Sequence, residues 1–115
     1  MIHYMNLTPQ PFEMITAGRK TIELRLLDEK RKQVQAGDIL IFTNTEDGAQ
    51  LRCLVKKLHY FANFVELYAA LPLEACGYLP EELATARPED MDAYYPPEKQ
   101  ARYSVVGIEM EKADK

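Results

Sequence analysis

Four charged side chains lie within a short stretch near the start of the chain, at Arg19, Lys20, Glu23 and Arg25. Apolar residues alternate with charged ones from residue 22 onward, which is typical of a β-strand. Glu23 and Arg25 would then share one strand face, roughly 6.5 Å apart, near enough to pair or to hold one polar ligand. Arginine offers a planar fork of donors that suits a phosphate or a base edge, lysine a mobile point charge, and glutamate an acceptor for an amino group.

The same residues also fit a plainer interpretation. Charge on a strand is most often a solvated face, and an exposed Glu23–Arg25 pair contributes under ~1 kcal/mol to stability. Arg19, at the end of a preceding helix, is expected to be solvated. Solvated charges contribute little to stability, so even where Lys20 and Arg25 line a cleft, alanine at either position should leave the melting temperature nearly unchanged. The stretch therefore predicts either a solvated face or the floor of a site.

Length and composition predict one globular domain over residues 1–115. The chain is 47% hydrophobic and 28% charged, which is ordinary for a chain that folds around one core. Its apolar runs are far shorter than the roughly 20 residues of a membrane helix. The first residues, "MIHYMNLTPQ", lack the basic and apolar segments of a signal peptide. We therefore expect a cytoplasmic protein without a membrane partner.

Charge is divided unevenly along the chain. Residues 1–60 carry a net charge of +2 and residues 61–115 one of −6, which together give the formal −4. The acidic total argues against indiscriminate binding of polyanions, which needs a broad basic surface, but it permits a small basic cleft. The basic run at residues 30–32 lies in a polar loop and is expected to be solubilising. The cations between residues 52 and 57 straddle one strand, so only some can face a cleft.

Cysteine and histidine are sparse and isolated. Cys53 and Cys76, like His3 and His59, do not have the spacing of zinc ligands or of a disulfide scaffold. We expect both thiols to be reduced and unpaired. Neither a metal nor another cofactor is predicted.

Turn signals and hydrophobic alternation predict five strands, at residues 1–7, 21–26, 39–44, 50–61 and 102–111. Thr8 and Gly18 mark the start and the end of a short first helix, and two or three further helical segments are expected within residues 63–100. Tight turns such as Asp47-Gly48, rather than regular crossover helices, favour an antiparallel, partly closed sheet. The predicted fold is α+β: a small β-barrel of five to six mainly antiparallel strands with about three short helices.

The strand patterns also predict which residues form the core. The expected members are Ile22, Leu24, Ile39, Ile41, Leu51, Cys53, Val55 and Val106. The run "ILIF" at residues 39–42 has no polar member to set its parity. Ile39 and Ile41 could therefore face outward instead.

The charged stretch resembles a known family signature. Gly18, Lys20, Glu23 and Arg25 match the string Gly-x-Lys-x-x-Glu-x-Arg of the ASCH family, named after the activating signal cointegrator homologues. A strand and a short helix precede the motif, "AGDILIF" follows it, and a helical insert leads to a closing strand. The resemblance thus covers nearly the whole chain. It implies a single ASCH domain, a fold similar to the RNA-binding PUA barrel, and a cleft between the barrel and the first helix, floored by the motif strand.

The resemblance implies, first, that this cleft binds RNA, a nucleotide or a modified nucleoside. The expected ligand-binding residues are the four of the motif: Gly18, Lys20, Glu23 and Arg25. Tyr94 and Tyr95 are further candidates, because aromatic rings stack on bases in single-strand recognition. Such a pair more often divides between the core and the rim of a site.

The resemblance also leaves open a small hydrolase, either an amidohydrolase acting on a modified nucleoside or a ribonuclease. Its candidate catalytic residues are Lys20 and Glu23. The amidohydrolase members carry Lys-Thr-Ile-Thr-x-Arg with the second threonine as nucleophile, a position that is Glu23 here. A carboxylate could act as general base on water, with Glu74 as candidate second acid, but two neighbouring cations lower its pKa and weaken it as a base. Whether the chain is an enzyme, and its oligomeric state, stay open.

Overall fold

The computed structural model describes residues 1–113. Five strands are present among them: β1 (Ile2–Leu7), β2 (Ile22–Leu26), β3 (Ile39–Asn44), β4 (Gln50–Phe61) and β5 (Val105–Lys112). Three α-helices accompany the strands: α1 (Pro9–Thr16), α2 (Phe64–Ala70) and α3 (Pro97–Tyr103). Short 3₁₀ helices lie at Arg31–Gln33, Pro80–Thr85 and Pro88–Ala93. The predicted α+β class is confirmed, and within residues 1–113 no helix is long and apolar enough to cross a membrane.

The strands form one sheet in the order β1-β3-β4-β5-β2. β1 pairs with β3 in parallel, whereas the other pairings are antiparallel. The sheet curls into a half-barrel that is compatible with a PUA-like barrel. Between its edge strands β1 and β2 lies a seam, which Arg25 Nη2 bridges by donating to the Asn6 carbonyl at 3.0 Å. Lys30 Nζ also donates to β1, at the Tyr4 carbonyl, over 2.7 Å.

Apolar side chains pack on both faces of this sheet. The first cluster joins the strands to α1, and its members include Leu7, Phe12, Ile15, Leu40, Phe42, Cys53, Val55, Val106 and Ile108. The second cluster joins the opposite face to α2 and the following insert, through Ile22, Leu24, Leu26, Phe64, Leu67, Met91 and Val105. Glu23 and Arg25 pair with Ile108 and Val106 across β2 and β5. The two charges therefore lie on the face of the first cluster.

Helix α1 and the turn after it lead into the motif strand. Pro9 begins the helix, where its missing N–H costs little, and Phe12 and Ile15 are buried. Gly18 has a φ of +80°, in the left-handed region that commonly ends helices and favours glycine. Lys20 follows two residues after Gly18 and two residues before the start of β2. The predicted first helix and its glycine end are confirmed.

Two details differ from the sequence pattern. On β3, Leu40 and Phe42 are fully buried and the predicted Ile41 is also buried, whereas Ile39 is half-buried. The run is apolar on both faces of the strand, so periodicity could not choose between them. The closing strand begins later than predicted, because Tyr103 ends α3 and Ser104 turns the chain with a φ of +64°.

Candidate functional site

A cleft of about 530 Å³ opens over the motif strand. Its floor is formed by Lys20, Glu23 and Arg25. One wall comes from residues 6–14 and the other from the insert at residues 76–95. The structure thus brings the three charged residues of the motif together, between the start of α1 and the insert.

Glu23 is the most deeply buried of the three, with 4% of its surface exposed. Its Oε2 accepts a hydrogen bond from Arg25 Nε at 2.7 Å, and Lys20 Nζ lies 2.9 Å from Oε1. Lys20 Nζ and Glu23 Oε1 form an ion pair, and Oε1 itself is buried from water. The side chains of Lys20 and Arg25 are 12% and 13% exposed. The expectation of solvated charges is wrong, because α1 and the insert lie on the two sides of β2 and shield these side chains from water.

The electrostatics of the floor favour an ionised carboxylate. Burial alone raises the pKa of Glu23, but the charges of Lys20 and Arg25 together outweigh it and hold the pKa below its ordinary value. Burial likewise disfavours the charged form of Arg25, and the Glu23 carboxylate more than offsets this and raises the pKa of the guanidinium. Glu23 is therefore a charged acceptor and a weak base.

Gly77, in the insert, lies close against the side chain of Lys20. Its φ is +112°, and a Cβ added there would come within 3.2 Å of Lys20 Cδ. The aliphatic stem of Lys20 therefore runs along bare backbone and places Nζ beside Glu23. The sequence offers no signal for this contact, since Gly77 is a single glycine in a segment without periodicity.

Tyr94 and Tyr95 both line the cleft but occupy different environments. Tyr94 is 72% exposed at the rim. Tyr95 stacks on Phe64, with ring centroids 6.2 Å and planes 14° apart, and its hydroxyl donates to the Leu24 carbonyl at 3.3 Å. Tyr95 thus anchors the wall in the second cluster, whereas Tyr94 presents an exposed ring to the cleft.

Linked hydroxyl groups hold the insert wall together. Tyr78 donates to Asp90 Oδ2 at 2.7 Å, so its oxygen accepts from the Tyr68 hydroxyl, also at 2.7 Å. The hydrogen bond from Tyr78 lowers the pKa of Asp90. All three side chains line the cleft, and their irregular spacing in the sequence gave no reason to group them.

Two residues predicted for the site lie outside the cleft lining. Gly18 is not among the lining residues, and its contribution is the turn that precedes Lys20. Glu74, the candidate second acid, is exposed and also lies outside. The carboxylates on the insert wall are Glu82 and Asp90 instead.

The arrangement of side chains that could ligate a metal or react as thiols is as follows. Residues 1–113 contain no group of three or more His, Cys, Asp or Glu side chains that could hold a metal ion. Cys53 and Cys76 are buried and free. Burial raises the pKa of each thiol to about 11, so both are largely unreactive at neutral pH.

Comparison with known families matches residues 5–114 to the ASCH domain. Among solved structures, a crystal structure of the hypothetical protein PH0355 is 35% identical, with a TM-score of 0.81 and coverage of 98% of this chain and 100% of that one. The solution NMR structure of protein PF0455 from Pyrococcus furiosus is 32% identical, with a TM-score of 0.73 and 100% of both chains covered. No curated protein matches the chain.

A more distant structure shares the fold alone. Protein EF3133 from Enterococcus faecalis V583 is 19% identical, with a TM-score of 0.58 and coverage of 99% of this chain and 82% of that one. The family match spans nearly the whole sequence, and two solved relatives exceed 30% identity over almost their full length. The chain belongs to the ASCH domain family.

Proposed function

We propose that the chain binds RNA or a nucleotide in the cleft over the motif strand, with a base held at Lys20, Glu23 and Arg25. Membership of the ASCH family supports an RNA-binding or hydrolase-like domain in general. The main support for binding is the buried Glu23 carboxylate, held between two cations at the floor of an open cleft. Buried ion pairs are weak contributors to stability compared with apolar packing, which favours a role in recognition.

Hydrogen-bonding capacity remains at the floor of the cleft. Lys20 has three N–H donors and contacts one oxygen of Glu23. Arg25 has five N–H donors, and within residues 1–113 it donates hydrogen bonds from Nε and Nη2. Donors placed beside a charged acceptor suit the edge of a base, which carries carbonyl and amino groups together. Tyr94 at the rim adds a surface on which a base can stack.

The charge state of Glu23 favours binding over hydrolysis. A general base works best with a pKa near the operating pH, whereas the pKa of Glu23 is held below its ordinary value. Glu23→Gln distinguishes binding from hydrolysis, because it keeps the shape of the side chain and removes the general base. A binder should retain most of its affinity, whereas a hydrolase should lose turnover by about 100-fold or more.

Tyr94→Ala tests the proposal without disturbing the fold, because the ring is exposed. We expect affinity for short single-stranded RNA, or for the nucleoside that binds, to fall about tenfold, since stacking contributes about 1–3 kcal/mol per base. Tyr60→Ala is the matched control, as Tyr60 is 57% exposed and lies outside the cleft lining. Calorimetric titration measures both variants.

Lys20→Ala tests the floor, with Arg19→Ala as its control from the neighbouring exposed position. Affinities are compared at a temperature where circular dichroism shows each variant folded. Lys20→Ala should weaken binding about tenfold, and Arg19→Ala should not. If Tyr94→Ala and Lys20→Ala bind every RNA and nucleoside as tightly as the parent, the cleft is not the binding site.

A further inference from the structure

A second, smaller recess of about 350 Å³ lies beside the main cleft. It is lined by Tyr4, Met5, Asn6, Arg25, Lys30 and Arg31. Asn6 and Arg25 line both spaces. The two spaces therefore adjoin at these residues, and a ligand that lies across Asn6 and Arg25 can occupy both.

The two spaces differ in charge. The main cleft is lined by three carboxylates, on Glu23, Glu82 and Asp90, against the two cations of the motif. The recess is lined by three cations, on Arg25, Lys30 and Arg31, and by no carboxylate among the described residues. A phosphate is thus disfavoured against the insert wall and favoured at the seam.

The cations of the recess are held in place and keep unused donors. Arg31 Nη1 donates to Asp28 Oδ2 at 3.1 Å, the one hydrogen bond of its guanidinium among residues 1–113, and a guanidinium has five donors. Lys30 Nζ makes one hydrogen bond, to the Tyr4 carbonyl, and has two more donors available. Side chains fixed in this way lose little freedom when an anion arrives. Lys32, from the same loop, does not line the recess.

We propose that this recess binds a phosphate group of the nucleotide or RNA whose base occupies the main cleft, an inference that rests on the proposed function. Lys30 and Arg31 are then the phosphate-binding residues, and Arg25 lies between base and phosphate. The proposal departs from the expectation that the whole basic run at residues 30–32 is solubilising. Lys32, which is half exposed and 3.4 Å from Glu29, keeps that role.

Lys30→Gln and Arg31→Gln test the recess, with Lys32→Gln as the matched control. The probes are a short single-stranded RNA, an abasic ribose–phosphate strand of the same length, and the free nucleosides. Each recess variant should weaken binding of both strands about tenfold and flatten the salt dependence by about 0.7 in log–log slope. Nucleoside binding and all properties of Lys32→Gln should match the parent. Melting temperatures confirm that each variant is folded.

The probes separate this inference from the proposed function. If Lys30→Gln and Arg31→Gln lose binding of the abasic strand, the recess proposal is supported. If the parent also fails to bind nucleosides, the base-binding role of the main cleft is refuted, but the recess proposal is still supported. The recess proposal is overturned if the parent does not bind the abasic strand. It is also overturned if both variants bind that strand with the affinity and salt slope of the parent while nucleosides still bind the main cleft.

Discussion

Glu23 carries its charge at a position that is almost closed to water. A lone carboxylate in such a place would take up a proton, because burial disfavours its charged form. The contacts to Arg25 at 2.7 Å and Lys20 at 2.9 Å reverse that preference. The three residues consequently act as a unit, and removing one changes the state of the others.

Arg25→Ala should lower the free energy of unfolding by about 3–5 kcal/mol, since it leaves a buried carboxylate with a single cation. It also removes the hydrogen bond to the Asn6 carbonyl. Lys20→Ala should cost less, because Arg25 keeps the aligned hydrogen bond to Glu23. Arg19→Ala should stay within about 0.5 kcal/mol of the parent. Urea unfolding followed by circular dichroism measures all three, and an Arg25→Ala variant as stable as the parent would mean that the pair is solvated.

At the scale of elements, the strands and the helical character of the insert could be predicted, whereas the turns that carry its cleft residues could not. The hairpin turn at Asp47-Gly48 and the alternation after it gave β4 at the bounds that the structure has, Gln50–Phe61. The insert folds through short 3₁₀ segments, which sustain no hydrophobic period. Its cleft residues Gly77 and Asp90 were therefore missed, whereas the motif strand was found. Burial of the motif charges was also missed, because it depends on what packs beside β2.

Gly77→Ala tests how the insert positions Lys20. Alanine at a φ of +112° is strained, and we expect a loss of about 1–2 kcal/mol in stability. The new Cβ would also push the stem of Lys20 away from Glu23, so ligand affinity should fall. Gly48→Ala is the matched control, with a φ of +77° and no atom within 4 Å of the added Cβ. It should lose comparable stability and keep full affinity, and equal affinities in the two variants would refute the positioning role.

At the scale of the whole molecule, the candidate site lies where the half-barrel stays open. An edge strand leaves backbone groups unpaired, and at β1 two of its carbonyls accept from Arg25 and Lys30. The seam is thus closed by side chains that keep further donors for a ligand. The basic recess comes from the first half of the chain and the acidic wall of the cleft from the second. The net positive first half of the chain and the net negative second half therefore meet at the candidate site.

The start of β1 also contacts Asp38, the residue that immediately precedes β3. Asp38 Oδ2 lies 2.8 Å from His3 Nε2 and accepts from the Gln35 N–H at 3.0 Å, while Oδ1 accepts from the amino terminus at 3.2 Å. The hydrogen bond with His3 is the largest cause of a pKa for Asp38 that is lowered to about 2. These contacts add to the pairing of β1 with β3 and fix the start of β1.

The lowered pKa of Asp38 predicts a specific acid sensitivity. Because the folded protein holds the carboxylate ionised below its ordinary pKa of 3.8, the contribution is complete above about pH 4 and is lost as the pH falls through about 2. Asp38→Asn should lower the free energy of unfolding at pH 7 by about 1–2 kcal/mol and should show a shallower decline between pH 4 and 2. Glu46→Gln, at an exposed position of the hairpin, controls for the loss of one charge. Urea unfolding across this pH range measures the difference, and parallel curves for Asp38→Asn and the parent would show that Asp38 does not fasten β1.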